Sequence, residues 1–152
     1  MRDARLKEYG RDILQNETYG TLENYIQHGR VTVLEHSLRV AETSLRISDF
    51  CRKRFRWSCR EREMVRGALL HDYFLYDWHE KGKGHGLHGF THAAAALNNA
   101  RKDYVLTRCE EEIIHKHMFP LNVTRVPMCR EAWIVTMADK YCSLIETIAM
   151  RK

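Results

Sequence analysis

Apolar and polar positions follow the period of amphipathic helices along most of the chain. The longest apolar stripe consists of Leu34, Leu38, Ala41, Leu45 and Ile47. It predicts a helix from about residue 31 to residue 55. A second apolar stretch, residues 64–70, predicts a helix that runs up to His71.

The first 30 residues predict two shorter helical segments. The first carries Leu6, Tyr9, Ile13 and Leu14, and the second carries Leu22, Tyr25 and Ile26. Gly29 then supplies a stop signal, because glycine adopts the left-handed conformation that often ends a helix.

The second half contains a glycine-rich loop and three further predicted helices. Residues 73–89 begin with aromatic side chains and continue with four glycines, which favours a loop. Thr91 is a candidate cap for a helix with Ala93–Ala96, and Thr107 with Glu110 resembles a capping box. A last helix, from about residue 130, places Ile134, Met137, Ala138 and Tyr141 on one side. No segment predicts a strand, so we expect an all-α bundle of about six or seven helices.

Length and composition favour one domain that spans residues 1–152. The chain is 44% hydrophobic and 30% charged, which is ordinary for a globular protein. Its five cysteines are an odd number without a C-x-x-C pair, which argues against a disulfide scaffold or zinc knuckle and for a reducing compartment. The N-terminus lacks an apolar signal core, and no apolar run approaches the roughly 18 residues of a membrane span. We therefore expect a cytoplasmic protein without a membrane partner.

The net charge of +5 is modest, and its positive part is concentrated between Arg52 and Arg66. A solvated helix end is the favoured interpretation, and a nucleic-acid footprint is the alternative. Lys81 and Lys83 lie in the glycine-rich loop, which lacks the spacing of a P-loop and is either a plain connection or a lid.

Side chains that bind metals recur in apolar surroundings. His71 and Asp72 are adjacent at the end of a predicted helix, and ligand-type residues stand on the other predicted helices: His36, His92, His117 and Asp139. A single such histidine is most often a polar core residue. Asp139, between apolar neighbours, needs a cation such as Lys140 or a metal, because an unpaired buried carboxylate is costly. Together, the recurrence favours one shared metal centre, whose ligand types suit hydrolysis.

The series His36, His71–Asp72 and Asp139 resembles the H…HD…D signature of the HD-domain metal-dependent phosphohydrolase superfamily. The segments 35–41 and 70–72 are sequence motifs typical of that group. The segment from Thr91 resembles the "H-P-x-x-A/G" helix start of bimetallic members, with Ala93 in place of proline. Segment 113–118 resembles the one that supplies a further histidine, although His117 is followed by Met118 where those relatives often have a second histidine. The resemblance covers about residues 28–146.

The resemblance implies a helical bundle with a metal site at its centre. His36, His71, Asp72 and Asp139 would hold one divalent ion (Mn, Fe, Ni, Zn or Mg). In bimetallic relatives the Asp of the HD pair bridges two ions, so His92 and His117 would hold a second. His88 and His115 are their substitutes. The number of ions stays open.

The resemblance also implies hydrolysis of a phosphate ester, of a nucleotide or a related small molecule, with Asp72 and Lys140 as catalytic residues. A catalytically silent module that binds metal or nucleotide for regulation is the alternative. Lys140 either orients Asp139, contacts phosphate or forms a structural ion pair. Core packing is favoured over a base-binding pocket for the aromatic cluster of Tyr73, Phe74, Tyr76 and Trp78.

Overall fold

Eight α-helices form within residues 3–76 and 88–150, the part of the chain that this computed structural model describes. They are α1 (Ala4–Tyr9), α2 (Arg11–Leu14), α3 (Glu17–Gly20), α4 (Val33–Phe55), α5 (Glu61–Leu70), α6 (His88–Asp103), α7 (Arg108–Lys116) and α8 (Arg130–Ala149). The predicted all-α class is confirmed. The helices outnumber the expected six or seven because the N-terminal segment is divided into short pieces. Asn16 caps α3 by accepting a hydrogen bond from the Tyr19 amide, so a new helix starts there.

The prediction of no strand is wrong for the residues after the 3₁₀ helix Thr21–Asn24. Strands β1 (Ile26–His28) and β2 (Val31–Thr32) pair antiparallel. Gly29 does adopt a positive φ of 60°, but it does so in the turn between the strands and not at a helix end. A two-residue turn that contains a glycine and is followed by the β-branched residues Val31 and Thr32 favours a hairpin over a helix.

Capping boxes fix the starts of α4 and α7. The Thr32 hydroxyl accepts from the Glu35 amide at 3.2 Å, and the Glu35 carboxylate accepts from the Thr32 amide at 3.0 Å. The predicted box of Thr107 and Glu110 is confirmed, with distances of 3.2 and 3.1 Å. The predicted cap at Thr91 is wrong, because α6 begins at His88 and Thr91 lies inside the helix.

Helix α5 is the central element, because it packs against α1, α4, α6, α7 and α8. Every residue from Met64 to Leu70 is buried. Its C-terminal end therefore delivers the next two residues, His71 and Asp72, into the protein interior. The following Tyr73 and Phe74 are also buried and belong to the hydrophobic core, as favoured above, whereas Trp78 lies outside the described residues.

Helix α8 packs with only part of its predicted apolar side. Ile134 and Ala138 are buried, but Met137 and Tyr141 are 50% and 58% exposed, so the four residues predicted on one side do not all pack into the core. The helix carries apolar residues on two faces, and periodicity alone does not select the one that packs. Within the described residues, no helix is both long and apolar enough to cross a membrane.

Gly67→Ala tests the contact of α5 with α7. A Cβ atom at Gly67 would lie 2.7–2.8 Å from three carbons of the buried Ile113, including its Cβ. We expect the free energy of unfolding to fall by about 1–3 kcal/mol, because Ile113 cannot move without its helix. Urea unfolding followed by circular dichroism measures the change.

Gly20→Ala is the matched control, since no heavy atom lies within 4 Å of the added carbon in helix α3. It should be neutral or stabilising by up to about 1 kcal/mol. A Gly67→Ala protein as stable as the wild type would show that this helix contact is looser than described.

Candidate metal centre

The structure brings all six predicted ligand residues together in the interior. His36 lies in the first turn of α4, His71 and Asp72 directly follow α5, and Asp139 lies on α8. His92 comes from α6 and His117 from the end of α7. Each of the six is at most 5% exposed. Their role as metal ligands stays a prediction, and the geometry shows what they can do.

Two histidines and two carboxylates form a compact set. Asp139 Oδ1 lies 3.1 Å from His36 Nε2 and 3.7 Å from His71 Nε2. Asp72 Oδ2 lies 3.2 Å from His71 Nε2 and 3.7 Å from His36 Nε2. Because each carboxylate oxygen faces both imidazoles, the four groups converge on one small volume.

The second oxygen of Asp72 faces the remaining histidines. Asp72 Oδ1 lies 3.2 Å from His92 Nε2 and 3.4 Å from His117 Nε2, and these two nitrogens are 2.9 Å apart. Asp72 therefore lies between two pairs of histidines. One of its oxygens faces each pair. That is the arrangement of a carboxylate that bridges two positive centres.

Backbone carbonyls fix which ring nitrogens face the cluster. His71 Nδ1 donates to the Ala68 carbonyl at 2.6 Å, and His117 Nδ1 donates to the Ile114 carbonyl at 2.8 Å. A carbonyl oxygen only accepts, so Nδ1 carries the hydrogen in both rings. The lone pair of each neutral ring then lies on Nε2, which faces the carboxylates. A metal-ligating histidine is normally oriented in this way.

Two buried atoms of the cluster lack a hydrogen-bond partner among the described residues. These are His71 Nε2 and Asp72 Oδ1, although charged neighbours lie within 3.2–3.4 Å of them. Buried polar atoms in proteins are nearly always satisfied, so an unsatisfied pair needs an explanation. A divalent first-row ion, which imidazole and carboxylate suit, would satisfy both. The residues present thus fit a metal.

The carboxylates of the cluster pair with cations. Burial lowers the pKa of His36, but its bonds to Asp139 and Glu146 outweigh burial and raise that pKa to about 9. Burial likewise opposes the charge of His71, and Asp72 and Asp139 raise its pKa to about 10. Lys140 is the third cation. Without metal, His36 and His71 are therefore protonated at neutral pH.

The pKa values of His117, Asp72 and Asp139 are lowered. Burial, the largest influence, lowers the pKa of His117 to about 4, so its ring is neutral. Burial raises the pKa of Asp72 and Asp139, but the neighbouring histidines outweigh it and hold both well below the usual range. Both carboxylates are therefore ionised at all physiological pH values.

Two supporting residues were missed by sequence reasoning. Glu146 Oε2 accepts from His36 Nδ1 at 2.9 Å, and the Gln27 amide donates to Asp72 Oδ2 at 2.7 Å. Glu146 follows Asp139 by two helical turns on α8, which is a signal that the sequence does contain. Gln27 lies on β1, a strand that was not predicted, so it gave no signal.

Lys140 and the substitute histidines have defined positions. Lys140 Nζ donates to Asp139 Oδ2 at 2.7 Å and to the His117 carbonyl at 2.9 Å, so it orients two members of the cluster. His117 faces the cluster, whereas the charged neighbours of His115 include Arg125 and Arg101, which lie outside it. The His88 side chain and the loop with Lys81 and Lys83 lie outside the described residues.

Glu146→Gln tests the supporting carboxylate. We expect a divalent ion to bind about 10–100-fold more weakly, because the partner that orients His36 loses its charge. Titration with Mn²⁺ or Zn²⁺ measures the dissociation constant. Glu111→Gln makes the same chemical change in a surface pair with Arg101 and should leave the constant unchanged. Equal constants for Glu146→Gln and the wild type would remove Glu146 from the site.

The chain belongs to the HD-domain family. A model of the HD domain matches residues 33–144, which make up most of the chain and include all six candidate ligands. The resemblance inferred from the sequence is thereby confirmed. Gln27 and Glu146 lie outside the matched segment. No curated protein and no solved structure matches the chain.

Proposed function

We propose that this protein is a metal-dependent phosphohydrolase that cleaves a phosphate ester of a nucleotide or a related small molecule. The observation that carries the proposal is the buried Asp72 carboxylate with one oxygen toward His36 and His71 and the other toward His92 and His117. HD-family membership supports the same reaction class.

The residues divide into groups with separate tasks. His36, His71, Asp72 and Asp139 would hold one ion, and Asp72 with His92 and His117 would hold a second. A bound divalent ion lowers the pKa of water and polarises a phosphorus–oxygen bond. Lys140 holds Asp139 in place, and its side chain is 39% exposed, so a phosphate from solvent can reach the ammonium.

Three arginines of the basic stretch between Arg52 and Arg66 form ion pairs within the protein, which favours a small substrate over nucleic acid. Arg52 pairs with Asp49 and Glu61. Arg60 pairs with Glu131, and Arg66 is buried between Asp12 and Glu110. These guanidinium groups are engaged within the protein, which leaves them less able to neutralise a phosphate backbone. The five free cysteines support a cytoplasmic place of action.

Hydrolysis of a chromogenic phosphomonoester, a chromogenic diester and a panel of nucleotides, with added Mn²⁺, tests the proposal. We expect turnover that a chelator removes and that Lys140→Met lowers. Lys116→Met is the control, since Lys116 pairs with Glu112 on α7 and does not contact the cluster. Stoichiometric metal binding without turnover of any substrate would instead indicate the regulatory module.

A further inference from the structure

Two cysteines face each other at the starts of α7 and α8. Cys109 is the second residue of α7 and is buried, whereas Cys129 is the cap residue of α8 and is half-buried. Their sulfur atoms are 3.9 Å apart. A disulfide bond measures about 2.05 Å, so the sulfurs need to approach by less than roughly 2 Å. The metal cluster uses neither cysteine.

The two sulfurs are unequal in charge and access. The two thiols lie within hydrogen-bond distance of each other, and this contact lowers the pKa of Cys129, while the same contact and burial raise the pKa of Cys109. The start of a 20-residue helix adds positive potential at Cys129. A more exposed cysteine with a lowered pKa beside a buried one is the arrangement of an attacking and a resolving cysteine.

We propose that Cys109 and Cys129 form a reversible disulfide by exchange with a low-molecular-weight disulfide such as glutathione disulfide. The Cys129 thiolate attacks one sulfur of that disulfide and releases the other as a thiolate. Cys109 then gives its proton to the released thiolate and attacks the Cys129 sulfur, which expels the second thiol. The protein pair loses two electrons, and the small disulfide is reduced to two thiols.

A disulfide explains the pair better than a thiolate metal site. Glu131 is the third potential ligand next to the two cysteines. Its carboxylate already accepts from the Arg60 amide at 2.8 Å and lies 3.3 Å from the Arg60 guanidinium. A cation placed there would have to displace or oppose that guanidinium. The disulfide needs no third group.

The bond would join two helices that position site residues, since His117 directly follows α7 and α8 carries Asp139. It would also close the segment between positions 109 and 129. Closing a loop of this length limits the unfolded chain, so oxidation should raise Tm by roughly 5–10 °C.

The test equilibrates the full chain with mixtures of reduced and oxidised glutathione, followed by acid quenching, alkylation and mass spectrometry. We expect two fewer alkyl groups per chain than in the reduced protein, a cross-linked peptide pair containing Cys109 and Cys129, and reversal by dithiothreitol. Cys109→Ser should retain glutathione on Cys129, because the resolving thiol is gone. Cys51→Ser is the matched control and should oxidise like the wild type.

Three results would overturn the proposal. In the first, Cys109 and Cys129 remain alkylatable while Cys51, Cys59 or Cys142 react. In the second, the cross-link joins other cysteines. In the third, the reduced wild type holds zinc that Cys109→Ser and Cys129→Ser lose, which would assign the pair to a metal. The wild-type protein alone decides the first two results, even if a variant fails to fold.

Discussion

Asp72→Asn is expected to abolish metal-dependent turnover, with a loss of roughly 100–1000-fold or more. The change preserves shape but removes the charge that faces all four histidines of the cluster. Its amide also places hydrogen-bond donors where the carboxylate accepts from Gln27 at 2.7 Å. Both effects weaken the group that links the two halves of the centre. Phosphate release and metal content of the same preparation measure the result.

Asp49→Asn is the control for Asp72→Asn. Asp49 is 40% exposed and pairs with Arg5 and Arg52, so the same chemical change there should cost little. Circular dichroism confirms that both variants fold. An Asp72→Asn protein that keeps its metal and a tenth or more of wild-type turnover would contradict the bridging role of Asp72.

Affinity for a divalent ion is expected to rise about 100-fold per pH unit between pH 6 and pH 8.5. His36 and His71, with pKa values raised to about 9 and 10, both carry a proton in this range without metal. Each must lose that proton before its Nε2 lone pair can bind a cation. Competition between protons and the metal therefore weakens as pH rises. The dependence of the affinity on pH becomes less steep only when pH approaches 9.

Calorimetric titration in buffers of different ionisation enthalpy measures this coupling and should show release of about two protons at pH 7. Glu146→Gln should reduce the number of protons released, because loss of one bonded carboxylate lowers the pKa of His36. An affinity that does not change with pH would show that the two imidazoles are neutral before metal binds or do not bind it.

The sequence was sufficient for the elements whose signals are local. The capping box at Thr107 and the stripe of α4 depend on residues a few positions apart, and both are confirmed. The hairpin at Gly29 was missed because a glycine after a short apolar segment fits the end of a helix and a tight turn equally well. Met137 and Tyr141 lie outside the core because α8 has two apolar faces, and only packing selects the inner one.

The convergence of the six candidate ligands could be predicted for a different reason. The family motif contains these residues, although they are far apart in the sequence. Glu146 and Gln27 lie outside that motif and act by supporting other side chains. Gln27 is revealed only by the geometry, whereas the spacing of Glu146 from Asp139 was a signal that sequence reasoning did not use. The contact of Cys109 with Cys129 likewise depends on how α7 and α8 meet, and their spacing of 20 residues matches no pattern.

Elemental analysis of the protein purified without chelators tests the central claim most directly. We predict one or two equivalents of a divalent transition metal per chain, and loss of that metal in His71→Ala and Asp139→Ala proteins that remain folded. A folded wild type that neither retains such a metal nor binds one on titration would contradict the account. The buried cluster would then be an ionic network of the core.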